Sequence, residues 1–116
     1  MLALILCLLI SGCTRKIELQ DGFRVVRTSG NSRTLVKPDG VALIYPTVAN
    51  AVDDDQFIIG LREDIGFGLR LSEGFEDQPY GYFIYDKTIQ ERVMGLSENE
   101  LAELTEEKGI DLTLDR

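Results

Sequence analysis

The chain contains no histidine and no tryptophan, only two cysteines and three prolines, and few cations. Each shortage excludes something. Without histidine there is no Ser-His-Asp triad, no Cys-His nucleophile and no imidazole-ligated zinc. The cysteines are Cys7 and Cys13, too few for a thiolate zinc site. Twelve Lys and Arg stand against twenty Asp and Glu, a net charge of −8. Nucleic-acid affinity comes from Lys and Arg on phosphates, so no nucleic-acid partner is expected. Hydrophobic residues make up 44% of the 116, which is enough for one folded core and too much for a disordered chain.

The cysteines lie in the most informative stretch. Leu2–Ile10 reads LALILCLLI and is followed by Ser11-Gly12-Cys13. The run is far short of the roughly 20 residues that span a bilayer, but has the length of a signal-peptide hydrophobic region. The competing use is a buried strand or helix of the fold. No Lys or Arg precedes the run, where signal peptides normally carry positive charge.

Ile10-Ser11-Gly12-Cys13 resembles the lipobox of bacterial lipoproteins: an aliphatic residue, two small residues and the cysteine that accepts diacylglycerol. The resemblance implies cleavage between Gly12 and Cys13, lipidation of Cys13, and a membrane partner engaged through an N-terminal anchor. It also implies residence in the bacterial cell envelope. In a Gram-negative cell Thr14, standing where Asp would be the usual inner-membrane retention signal, implies the periplasmic face of the outer membrane. The organisation expected is a signal peptide over residues 1–12, a lipidated cysteine with a short tether over 13–16, and one small domain over 17–116.

The domain reads as strands and turns. Phe23–Arg27 alternates, Lys37-Pro38-Asp39-Gly40 is a turn between Thr34–Lys37 and Val41–Tyr45, and Pro46 ends the second arm of that hairpin. Gln56–Arg62 and Ile65–Leu71 read as strands, and Ser72–Pro79 as a loop. Tyr80–Asp86 is apolar on both faces, as a central strand is; Ile89–Met94 is half polar. The sequence closes with a helix signature: Ser97 and Glu100 at capping-box spacing, Leu96 and Leu101 at staple positions, and Gly109 as terminator with Ile110 folding back on Leu104. The expectation is an α+β domain, an antiparallel sheet of about five to seven strands with one C-terminal helix. The Leu19–Val25 segment, Tyr82–Asp86 and Gly95–Leu101 together also resemble small uncharacterised lipoproteins of bacterial envelopes.

Chemistry-bearing groups are sparse. Asp53-Asp54-Asp55 lacks the spacing of a calcium loop and reads as an acidic turn. Asp64, Glu73, Asp77 and Asp86 are the carboxylates placed for acid–base work, yet any acidic sheet protein offers such pairs. Gly60, Gly66 and Gly68 bare their strands for a bulge or a close approach. Tyr80, Tyr82 and Tyr85 form a possible binding surface, although alternation sends Tyr85 to the face opposite Tyr80 and Tyr82. Glu98, Glu103, Glu106 and Glu107 make an acidic helix face. No catalytic residue, metal site or cofactor is expected, and the chain is not read as an enzyme. The leading expectation is a lipid-anchored envelope protein that binds or supports. The alternative is an acidic inhibitor or immunity-type protein against a basic envelope enzyme, and in either case a protein partner in the envelope is expected.

Overall fold

The computed structural model describes residues 17–29, 32–64 and 78–114. The lipobox with Cys7, Gly12 and Cys13, the expected strand Ile65–Leu71 with Gly66 and Gly68, and Glu73 and Asp77 lie outside the described residues.

The fold is α+β, and the described residues form two four-stranded antiparallel sheets and a C-terminal helix. The first sheet holds β1 (Ile17–Glu18), β2 (Arg24–Ser29), β3 (Ser32–Val36) and β4 (Ala42–Ile44), in that order. The second holds β5 (Val48–Asp53), β6 (Phe57–Arg62), β7 (Gly81–Asp86) and β8 (Glu91–Leu96). Helix α1 spans Glu98–Lys108. The expected single sheet is thus divided in two. Pro46 marks the division, because its ring removes the N–H that would extend β4.

One core lies between the sheets. Phe23, Val25, Leu35 and Ile44 of the first pack with Val48, Ile58, Phe83 and Tyr85 of the second. The other core covers the second sheet's outer face, where Phe57, Ile59, Tyr82, Ile84 and Leu96 meet Leu101 of α1. Leu104, Ile110, Leu112 and Leu114 pack against it. Strands β6 and β7 therefore bury both faces, which is why their sequences are apolar without alternation. Gly60 stands opposite Phe83. A Cβ on Gly60 would overlap the Phe83 ring and come within 2.6 Å of the Asn50 carbonyl oxygen, so the bare position seats the ring.

The helix forms as its sequence directs. The Ser97 hydroxyl accepts from Glu100 N–H at 3.1 Å, and the Glu100 carboxylate accepts from Ser97 N–H at 2.9 Å. At the other end Gly109 adopts φ 69°. Ile110 N–H then reaches the Thr105 carbonyl at 2.8 Å and Gly109 N–H the Glu106 carbonyl at 3.2 Å, a Schellman closure.

All eight strands run between the same two ends. At the entry end the chain enters β1, the β2–β3 hairpin turns, and β6 finishes. The far end gathers the Gln20–Gly22 turn and the β3–β4, β5–β6 and β7–β8 turns, whose residues line one shared cleft.

Candidate functional site

The far-end cleft is a recess of about 460 Å³. Phe23 and Tyr85 line it with Lys37, Asp39, Asp55 and Lys87. The turn residues put those charges there. Pro38 presets φ and Gly40 at φ 88° closes the β3–β4 turn, leaving Lys37 and Asp39 on the rim. In the β5–β6 turn Asp54 Oδ1 accepts from Gln56 and Phe57 N–H at 2.8 and 2.7 Å. That fixes Asp55 outward and Asp53 inward.

Lys87 is the organising group. Its side chain is only 8% exposed, and that of Asp53 only 5%. Nζ donates to Asp53 Oδ2 at 2.7 Å, to the Asp54 carbonyl at 2.7 Å and to Asp21 Oδ2 at 3.3 Å. Three donors meet three acceptors, so the ammonium is saturated. It also lies 5.1 Å from the Phe23 ring centroid, and Asp53 Oδ2 accepts Gln20 N–H at 2.8 Å. The ion pair therefore ties the first sheet's leading turn to the second sheet. Tyr85 is 4% exposed, and burial pushes its phenol above the usual value; Asp86 adds to the rise and Arg92 opposes it.

A second buried cation stands at the entry end. Arg62, 2% exposed, donates from Nε to the Tyr45 carbonyl at 2.9 Å and from Nη1 to the Gln78 carbonyl. Gln78, 1% exposed, closes the arrangement: its Oε1 accepts Tyr45 N–H at 2.8 Å and its Nε2 donates to the Leu43 carbonyl at 3.2 Å. The Tyr80 ring lies over the guanidinium at 4.4 Å. Burial pulls Arg62 below its usual pKa, while the Tyr80 phenol and the Asp64 carboxylate work the other way. Arg62 Nη2 is buried without a hydrogen-bond partner. These groups hold the β4–β5 crossing in place.

The residues singled out from sequence do not converge. Tyr80 is 43% exposed at the entry end, Tyr82 is buried under α1, and Tyr85 is buried between the sheets, so the three tyrosines share no surface. Strand alternation forces that outcome, since Tyr82 and Tyr85 stand an odd number of residues apart. Asp64 follows β6 at the entry end and Asp86 ends β7 at the far end, where its Oδ1 accepts Thr88 N–H at 2.9 Å. A six-residue strand separates them, about 20 Å, against the 5–10 Å of a glycosidase pair. The acidic run Asp53–Asp55 is divided among an ion pair, a turn cap and an exposed rim position. Among the described residues no group of three or more His, Cys, Asp or Glu is placed to hold a metal ion. Glu98, Glu103, Glu106 and Glu107 are exposed on α1. No helix among the described residues is long and apolar enough to cross a membrane.

The buried pairs Lys87–Asp53 and Arg62–Gln78 carry no sequence signal: a Lys in a turn or an Arg at a strand end is ordinarily solvated. Compared with protein families, with characterised proteins and with solved structures, the chain shows no match.

Proposed function

We propose that the chain is a lipid-anchored bacterial envelope protein that acts by binding, with Cys13 as the lipidated residue and the far-end cleft as the binding surface it displays. The observation that carries the anchor is the apolar run Leu2–Ile10 followed by Ile10-Ser11-Gly12-Cys13. The fold supports it by starting at once: β1 begins at Ile17, so little chain separates the acyl group from the first strand. A short tether and about 0.8 kcal/mol per buried acyl methylene hold the domain at the bilayer. The binding role is supported by the cleft, which lies at the opposite end of the strands from that tether and gathers Asp21, Asp39 and Asp55.

Those carboxylates also favour a second reading, an acidic inhibitor or immunity-type protein that docks a basic envelope enzyme through steering. Metabolic palmitate labelling of the native chain and of Cys13→Ser, with membrane fractionation, tests the anchor. Labelling that disappears in the variant is expected; an unlabelled, soluble native protein overturns the reading. Binding to a basic hydrolase at low salt, weakened by Asp39→Asn with Asp55→Asn, tests the second; absence of binding discards it.

A further inference from the structure

The inner face of the first sheet ends in charge. Along β2, Phe23 and Val25 point into the core between the sheets, and Arg27 follows at the same period of two. Along β3, Leu35 points inward and Arg33 precedes it. Arg27 and Arg33 are direct cross-strand partners, one rung beyond the last apolar layer. Like charges placed directly opposite are destabilising. In a chain with twenty acidic residues, neither arginine has an ion-pair partner among the described residues. Glu63 is at the same end, its backbone bonded to that of Thr47, yet it pairs with neither. The arginines line a recess of about 140 Å³ with Thr47, Val48 and Ala49, and Thr47 Oγ1 is fixed there by Arg33 N–H at 2.8 Å. Two guanidiniums beside a small recess have the chemistry to hold an oxyanion, since their planar forks match phosphate.

The position of the recess indicates its occupant. Ile17 pairs with Val25 and Glu18 with Arg24 in antiparallel register, so the chain reaches β1 from the side of Arg27 and Arg33. Cys13 lies four residues before Ile17, a span of at most about 14 Å when extended. The far-end carboxylates stand a strand length away, about 20 Å, well beyond a Debye length of about 8 Å. We propose that the Arg27–Arg33 rung is a phosphate seat occupied by a lipid headgroup of the membrane that holds the chain, and that it sets the domain upright with the cleft outward. The proposal rests on lipidation of Cys13. Two arginines bind a phosphate weakly by themselves; tethering supplies the high effective concentration that fills the seat.

The test uses the full chain, processed and lipidated, in vesicles of phosphatidylglycerol and phosphatidylcholine. Because the sequence has no tryptophan, one introduced indole reports alone. Tyr80→Trp reports the entry end and Val41→Trp, at a position 55% exposed, the far end. With nitroxide-headgroup lipid, quenching is expected to be several-fold stronger for Tyr80→Trp. Arg27→Gln with Arg33→Gln is expected to erase the difference while flotation with the vesicles persists. Equal quenching in the parent, or a preference that survives the double substitution, overturns the seat. A Cys13 found unmodified by mass, with no flotation, overturns the anchor reading and the lipid occupant with it. Saturable binding of inorganic phosphate to the Cys13→Ser chain at about 1 mM or tighter identifies a soluble oxyanion and overturns the lipid assignment.

Discussion

The two ends of the sandwich solve the same problem differently. Among the described residues each buries one cation. At the far end Lys87 is met by the carboxylates of Asp53 and Asp21 and by one carbonyl, so charge is neutralised by charge. At the entry end Arg62 is met by the carbonyls of Tyr45 and Gln78 and by an aromatic face, so the cation is solvated by dipoles. A compact ammonium with three donors is saturated by three acceptors drawn from two neighbouring turns. A guanidinium with five donors is not, and Nη2 is left over. The lysine arrangement is separable, because an ion pair can be removed as a unit. The arginine arrangement is not, because its partners are backbone groups that no substitution deletes.

The largest expected effect breaks the entry end. Arg62→Ala removes the donors from two carbonyls in a fully buried setting and opens a cavity under Tyr80. The cost is expected to be about 4 kcal/mol in urea unfolding. Arg62→Lys keeps the charge but loses the fork, and is expected to recover less than half of it. At the far end Asp53→Ala leaves Lys87 buried beside only the exposed Asp21 and a carbonyl. A loss of about 3 kcal/mol is expected, at the lower end for broken buried pairs because Lys87 borders the cleft. Lys87→Met in the same chain is expected to restore most of that loss. Arg62 has no corresponding rescue. A rescue of Arg62→Ala by any single neighbour, or none of Asp53→Ala by Lys87→Met, would erase the distinction.

A smaller effect tests the exposed charges. Arg27→Gln with Arg33→Gln removes a like-charge rung and is expected to leave stability unchanged or raise it by about 0.5 kcal/mol. A clear loss would mean that the arginines support the fold.

Much of this frame is legible in the residues. The capping box, the staple and Gly109 specify α1 to within a residue, because capping chemistry is local. The Pro38–Gly40 turn and the doubly apolar Tyr82–Tyr85 are equally direct. Strand β5 is not legible. Its register shifts between Val48 and Asn50, so Val48 and Ala51 both face the inner core although they stand three apart, and no period of two survives. Strand β8 begins at Glu91 rather than Ile89, because Gln90 takes φ 57° and extends the turn. The cleft escapes for another reason: its walls come from four turns distant in sequence, and only the pairing of two sheets brings them together.

The smallest predicted effects separate the ends by pH. At the capping box, the Ser97 N–H and hydroxyl hold the Glu100 carboxyl below its usual value. A folded pKa below the unfolded one means stability that is present above the ordinary glutamate range and lost as pH falls through the folded value. The Ser97 amide shift is expected to titrate at that lowered midpoint, and Glu100→Gln, which keeps a capping acceptor, is expected to abolish the titration. Tyr85 in the far-end cleft has the opposite sign. Burial raises its phenol, so the neutral form belongs to the fold. Its contribution is complete below the ordinary tyrosine value near 10 and is lost as pH rises through the folded value. Phenolate absorbance of the native chain is expected to show one tyrosine ionising late, together with loosening of the far end. Tyr85→Phe is expected to remove that late step and leave the acid limb at Glu100 unaltered. If both limbs moved together in either variant, the ends would be one cooperative unit and the buried cations would not act as separate fastenings.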